Sequence, residues 1–245
     1  MRVVFLGTGG AGSPPGRAEN SILVDSGDTR LLLDCGPGCG QRLYEAGYSV
    51  RDIDYVYVSH LHLDHWSGLF ELTVYAASES TEPPVIVVPE PIADSAGRVI
   101  LGLLPRSIQP RARLTEAKPG SRTGLGSLSI LVAESSHSIP CYGVLLDDGE
   151  SRLLYTSDTR LTRPYLDLAK EADLVVTEAT MPTGMEDAAE KTGHQTISQA
   201  LSYREYMRSG SILALVHITL RSEEEARRTS KRGVLVPSDL TALSI

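Results

Sequence analysis

Short runs of apolar residues recur from one end of the chain to the other, broken by Gly, Pro, Ser and Asp. Such runs, bounded by turn residues, read as strands. Residues 2–6 (RVVFL), 21–25 (SILVD) and 30–34 (RLLLD) predict three early strands. Helical spacing appears in QRLYEAG (41–47). A strand over 54–59 (DYVYVS) then runs straight into a histidine cluster, and GLFELTVYAAS (68–78) has helical spacing again. The middle of the chain predicts a strand at 85–88, a helix over about 92–104, and strands near 111–116, 128–133, 142–147 and 151–156. Most of these are expected to pair antiparallel, because a connection such as DDGES (147–151) is too short for a crossover helix. The last third alternates strand and helix: LVVTE (174–178), a helix over about 197–208, LALVH (213–217), a helix opening at SEEEARR (222–228), and VLV (234–236). No repeat, low-complexity tract or composition shift marks a linker, and Pro14-Pro15 and Pro83-Pro84 read as loop punctuation. The expectation is one α/β domain over residues 1–245.

Composition narrows the classes. With 41% hydrophobic residues in 245, the chain can bury a large core. Lys and Arg total 23 against 31 Asp and Glu, a formal charge of -8. That balance argues against a surface that grips nucleic acid everywhere through phosphates, although a local basic patch, or bound cations, can still attract an anion. The apolar run in MRVVFLGTGGAG is too short for a signal-peptide core, and no segment is long and apolar enough to cross a bilayer. Three cysteines, Cys35, Cys39 and Cys141, are an odd number, which suits a reducing compartment. A cytoplasmic protein without a membrane partner is expected.

The strongest chemical signal is His60-Leu61-His62-Leu63-Asp64-His65, four potential metal ligands in six residues directly after a predicted strand. His60 and His62 project to one side of a strand-end loop, and the turn that follows can redirect Asp64 and His65 to a neighbouring point. Two adjacent metal positions follow; the bland alternative is a polar surface loop. The other three of the six histidines, His137, His194 and His217, each lie at the end of an apolar run or before a helix. Singly each reads as a structural histidine, whereas together they read as a shared rim. Thr196 to Gln199 fits a capping box, so His194 precedes a helix N-terminus where free N–H groups favour an anion. A histidine there can touch a phosphate oxygen or protonate a leaving alkoxide, and otherwise is a surface turn residue.

These motifs in this order resemble the metallo-β-lactamase superfamily, and within it most the ribonuclease Z and phosphodiesterase branch. HxHxDH matches His60, His62, Asp64 and His65; SSHSIPCYGV carries the third-histidine segment with His137; LLYTSDTR carries a bridging-aspartate segment with Asp158; LVHITLR carries the last metal histidine, His217. GTGGAGSPPGRAENSILV and LLLDCGPG sit where the branch has its Gly-Thr-Gly and Asp-Cys-Gly segments. DLVVTEAT, with Glu178, and TGHQTISQA, with His194, resemble the paired Glu and His motifs of the ribonuclease Z type, which classical β-lactamases lack.

The resemblance implies a four-layer αββα sandwich with His60, His62 and His137 on one cation, Asp64, His65 and His217 on another, and Asp158 shared. The donor set suits two Zn2+, with Mn2+ or Fe as alternatives. It implies a hydrolase that cleaves phosphodiester bonds by a dimetal-activated hydroxide, with Asp64 also taking a proton and His194, charge-balanced by Glu178, assisting the leaving group. Homodimers are common in similar proteins. Many tRNA-processing members carry a long tRNA-clamping arm between the third histidine and the bridging aspartate, whereas only 21 positions separate His137 from Asp158. Together with the net acidity, this weakens full tRNA as the substrate and shifts weight toward a small phosphodiester, a cyclic nucleotide or short RNA, so that the expected activity is that of a ribonuclease Z-like nuclease or a small phosphodiesterase. The chain also departs from the branch at Ser157, where a glycine usually precedes the bridging aspartate. Two other readings stand beside this one: a hydrolase of thioester, lactone or lactam bonds, against which the Glu178 and His194 pair argues, and a catalytically silent metal-binding or RNA-binding module, against which the complete ligand set argues.

Weaker features are Arg221, either a phosphate contact or a surface charge; Cys35 and Cys39, either a second metal site or a structural turn; Ser222 with Glu225, a capping box; and Trp66, either a pocket wall or ordinary packing.

Overall fold

The apolar runs become two seven-stranded sheets laid face to face, in a computed structural model that describes residues 1–245. The first half supplies β1 (Arg2–Gly7), β2 (Ser21–Asp25), β3 (Arg30–Leu33), α1 (Cys39–Glu45), β4 (Tyr55–Tyr57), α2 (Leu63–Trp66), α3 (Leu69–Ser78), β5 (Val85–Pro89), α4 (Ala93–Ala96) and β6 (Leu114–Ala117). The second supplies β7 (Arg122–Leu125), β8 (Leu128–Ser135), β9 (Cys141–Asp147), β10 (Arg152–Tyr155), α5 (Arg163–Ala169), β11 (Leu174–Glu178), α6 (Glu186–Thr192), α7 (Ile197–Leu201), β12 (Ile212–Val216), α8 (Glu223–Thr229), β13 (Val234–Leu235) and β14 (Thr241–Ser244). Sheet order is β14-β1-β2-β3-β4-β5-β6 in one sheet and β13-β12-β11-β10-β9-β8-β7 in the other.

The two-residue period of a strand builds the layers. In the second sheet Leu146, Leu153, Val176 and Ala214 join the large core between the sheets. Their neighbours Leu145, Leu154, Val175 and Leu213 turn the other way and pack against Tyr165, Ile197, Ala200 and Ala226 of α5, α7 and α8. Leu43 of α1 and Leu69, Leu72 and Ala76 of α3 cover the first sheet. The result is the αββα sandwich. No helix is long and apolar enough to cross a membrane.

Several expectations are corrected. The antiparallel pairing holds for β8, β9 and β10, but β5 pairs parallel with both β4 and β6. The helix expected over 92–104 is broken into a 3-10 turn (Glu90–Ile92), α4 and a π turn (Gly97–Leu101), with Gly97 at the break where its low helix propensity weakens the continuous form. The helix expected over 197–208 is α-helical only to Leu201, then tightens into a 3-10 turn (Ser202–Glu205). β7, α5, α6 and β14 were not predicted; each is four to seven residues long, too short for its period to stand out.

One geometric fact positions the site. β3 and β4 run parallel, β10, β11 and β12 run parallel, and β8 shares their direction through antiparallel β9. Glu178 at the end of β11 and the residues that follow the other strands, Asp34, Ser59–His65, Ser136–His137, Asp158 and His217, emerge at one edge of the sandwich.

Candidate metal centre

The histidine loop leaves β4 and enters α2 with His62 as its N-cap in extended conformation, so Asp64 and His65 turn back onto the first helical turn. Close backbone contact pins this turn. The Cys35 N–H donates to the His65 carbonyl at 2.7 Å and the Gly68 N–H to the Cys35 carbonyl at 2.9 Å. A Cβ on Gly68 would lie 2.2 Å from the Gly36 carbonyl oxygen, and one on Gly36 would lie 2.3 Å from that of Asp64. The Asp-Cys-Gly segment is thus a structural turn. Cys35 and Cys39 are buried free thiols outside every cluster of ligand atoms, which removes the second-metal-site alternative.

All seven sequence-predicted ligands converge. His62 Nδ1 lies 3.1 Å from His60 Nε2 and 3.0 Å from His137 Nε2. Beside them, His65 Nε2 lies 3.2 Å from His217 Nε2 and 3.5 Å from Asp64 Oδ2, and His217 Nε2 lies 3.2 Å from Asp64 Oδ2. Asp158 Oδ2 stands between the groups, 3.8 and 3.9 Å from His60 and His137 and 3.4 Å from both His65 and His217.

Proton placement shows what these atoms want. Ser59 Oγ gives its proton to Asp34, so His60 Nδ1, 3.0 Å away, donates to Ser59 and keeps a lone pair on Nε2. His137 Nδ1 donates to the Gly193 carbonyl at 2.8 Å, and His65 Nδ1 to Asp34 Oδ2 at 2.7 Å, which directs both Nε2 atoms inward. Burial holds His60 well below the ordinary histidine range, and His62 and His137 below it, which keeps them neutral as ligands must be. Burial opposes ionisation of Asp158 and Asp64 as well, yet the surrounding imidazoles, His217 foremost, hold both carboxyls well below the usual range. Against its own burial, His65 is raised well above the ordinary range by Asp158 and Asp34, so the cluster draws positive charge to its Nε2 side. A cation satisfies the same field. Ligand atoms about 2.0–2.1 Å from a tetrahedral zinc stand about 3.3 Å apart; His65, His217 and Asp64 stand 3.2–3.5 Å from one another, and Asp158 Oδ2 lies 3.4 Å from both histidines. These residues fit a divalent cation.

Glu178 and His194 also meet. His194 Nδ1 lies 3.0 Å from Glu178 Oε1, and the Thr196 to Gln199 capping box forms as expected. Burial alone would lower the His194 pKa, but the Glu178 carboxylate overrides it and pushes the group up to about 9. A cavity of about 410 Å3 opens beside this pair, lined by Met181, Thr192, His194, His217, Leu220 and Arg221. Arg221 is exposed at its rim.

Four contributors were missed. Asp34 Oδ2 holds His65 and accepts the hydroxyls of Tyr155 and Ser59 at 2.5 and 2.8 Å. Thr180 contacts both Glu178 and His217. The available signals were the aspartate of the Asp-Cys-Gly segment and the spacing of Thr180 two residues after Glu178. Ser157 does adopt the left-handed conformation that favours glycine, at φ 52°, and so do Asp34 and His217, each at 56°. The Ser222 and Glu225 box does not form; Glu225 instead accepts the Thr183 N–H at 2.9 Å, and the Ser222 hydroxyl accepts the Thr219 N–H. Trp66 is ordinary packing, buried in the main hydrophobic cluster with its indole N–H on the Leu61 carbonyl.

The αββα sandwich with a His and Asp cluster at one edge defines a protein of the metallo-β-lactamase fold. The metallo-β-lactamase fold protein YhfI from Bacillus subtilis superposes with a TM-score of 0.84 at 22% identity, covering 99% of this chain and 98% of that one. The chain belongs to the family described as anti-Pycsar protein Apyc1, whose family model matches residues 1–238. A ribonuclease Z from Methanopyrus kandleri is 35% identical over 136 residues, 56% of this chain but only 46% of that protein. A ribonuclease Z from Halorubrum lacusprofundi is 27% identical over an alignment covering 98% of this chain and 95% of that protein.

Proposed function

We propose that this chain is a metal-dependent phosphodiesterase that hydrolyses small or short phosphodiesters, with cyclic nucleotides and short RNA as the substrate class. The observation that carries this reading is Asp158 Oδ2, standing within 3.4–3.9 Å of five imidazole nitrogens: His60 and His137 of one histidine group, His65 and His217 of the other, and His194. His60, His62 and His137 would hold one cation, Asp64, His65 and His217 a second, and Asp158 both, with zinc best suited to the donors. Two cations so held supply Lewis acidity and a hydroxide nucleophile at neutral pH. The chain's own residues do the rest. Asp64, accepting the Ala11 N–H at 3.0 Å, would take up the proton that the attacking water releases. His194, held at Nδ1 by Glu178, presents Nε2–H to the departing alkoxide and protonates it. Arg221, on the cavity rim, meets the phosphate.

The relatives named ribonuclease Z support phosphoester chemistry. Substrate size follows from the short link after His137, in which β9 and β10 are joined directly by residues 148–151 and no arm intervenes. A cavity of about 410 Å3 suits a mononucleotide better than a folded RNA. A single domain over 1–245 and a homodimer complete the proposal; exposed Leu63 and Phe70, beside the histidine loop, support docking of a second copy. Light scattering checks the dimer.

The decisive experiment is metal analysis coupled to a panel of bis-p-nitrophenyl phosphate, cyclic nucleotides, short RNA, precursor tRNA and a thioester. Two metal equivalents with cleavage of the small phosphodiesters are expected. Cleavage of the thioester alone, or tRNA processing as the fastest reaction, would overturn the reading.

A further inference from the structure

The Thr180 hydroxyl is wedged among three side chains from different parts of the site. Its Oγ1 lies 2.6 Å from Glu178 Oε2, 2.8 Å from His217 Nδ1 and 3.4 Å from His194 Nδ1. Thr180 is 5% exposed and Glu178 1%, so water does not compete for these bonds. A hydroxyl has one proton to give. Glu178 can only accept: its Oε1 already takes the Thr159 N–H at 2.8 Å and His194 Nδ1–H at 3.0 Å, and its Oε2 the Gln195 N–H at 3.1 Å. If the Thr180 proton pointed at His217 instead, two oxygen lone pairs would face each other at 2.6 Å. The proton therefore goes to Glu178, and His217 Nδ1 must be the donor to Thr180.

We propose that Thr180 is a positioning residue that couples the cation-holding half of the site to the Glu178 and His194 half, by fixing the Nδ1–H form of His217 through a hydrogen-bonded chain ending on Glu178. This rests on the function proposed above. The chain runs His217 Nδ1–H to Thr180 Oγ–H to the Glu178 carboxylate, where it meets His194 Nδ1–H from the other side. Both imidazoles are thereby held with Nδ1 protonated. In the metal-loaded site this leaves the His217 Nε2 lone pair for the cation that Asp64 and Asp158 also face, while the Nε2–H of His194 stays turned to the leaving group. Position 180 lies on the strand-like exit of β11 two residues past Glu178, so the alternation of an extended chain puts both side chains on the same face. A second bond holds it there, from the Thr219 hydroxyl to the Thr180 carbonyl at 2.8 Å.

The test compares Thr180→Val, which keeps the shape and removes the hydroxyl, with Thr180→Ser, which keeps the hydroxyl. Zinc affinity is read by chelator competition, the His217 proton by nitrogen-15 imidazole spectra of the zinc-loaded protein, and kcat on bis-p-nitrophenyl phosphate. Loss of a hydrogen bond to a metal-bound histidine lowers metal affinity about 10–100-fold; Thr180→Val should show that weakening at one of two zinc equivalents, and Thr180→Ser should stay within about threefold of the parent. Thr180→Ala gives the same comparison if valine disturbs folding. Parent-like zinc affinity in both hydroxyl-free variants, or a serine variant as weak as valine, overturns the proposal. A parent protein that binds zinc yet cleaves no phosphodiester overturns the function, while the affinity comparison still decides the role of Thr180.

Discussion

The Nε2 atoms of His65 and His217 lie 3.2 Å apart although the residues are separated by 152 positions. His217 directly follows β12 of one sheet, and His65 lies in α2, at the end of the loop that leaves β4 of the other, so this contact spans the edge of the sandwich. Two acceptor-rich groups held that close, with Asp64 and Asp158 beside them, repel each other unless positive charge lies between. A bound cation should therefore tie the sheets together. At a free zinc concentration about 100 times its Kd, the stabilisation is about 2.7 kcal/mol. Thermal melts with zinc and with a strong chelator check this, and superimposable melts would count against the site.

Asp158 is the one carboxylate in reach of both histidine groups. Asp158→Ala should lower zinc content below two equivalents and turnover by more than about 100-fold, exceeding the loss typical of an outer hydrogen-bond partner. Elemental analysis beside kcat settles it; two retained equivalents at normal rate would refute the bridge.

His194 predicts the opposite split. With its Nδ1 committed to Glu178, His194→Ala should leave zinc content nearly full while lowering kcat about 100- to 10,000-fold. Loss of metal from that variant would make it a ligand instead.

A pH dependence follows with a definite sign. Glu178 raises the His194 pKa to about 9, so the acid form persists through neutral pH and activity falls as pH climbs through about 9. The same shift stabilises the fold fully below the unfolded histidine pKa, and that contribution is lost as pH rises through the folded value. Glu178→Gln removes the raising charge, and the alkaline limb of kcat should move down toward neutrality. A limb that stays in place would assign it to another group.

Gly10 packs its backbone on the His217 ring: a Cβ there would lie 2.3 Å from Cε1 and 2.4 Å from Nδ1. Gly10→Ala should push His217 off its position, with a stability cost of about 1–3 kcal/mol from overpacking and loss of zinc from one equivalent. Urea unfolding and metal analysis check both, and a variant that matches the parent in each would show that the loop yields freely.

Much of the site was legible because it is local. The HxHxDH spacing needs only the strand-to-turn geometry of six residues, and the Thr196 capping box needs four. Asp34, Tyr155 and Thr180 were not, because their roles lie in hydrogen bonds to partners 31, 121 and 37 positions away, and a hydroxyl or carboxylate carries no mark of its partner. The Ser222 box failed for the same reason, since Glu225 found a competing donor in Thr183.

The amino-acid order by itself determined the strand runs, the α/β class and the seven ligand candidates, since periodicity and donor chemistry are properties of neighbouring residues. Only the tertiary structure decided that β5 and β6 run parallel, that β14 closes on β1 from the far end of the chain, and that one oxygen of Asp158 stands between the two histidine groups. Those outcomes depend on which distant surfaces bury each other, and burial is a property of the whole packed chain.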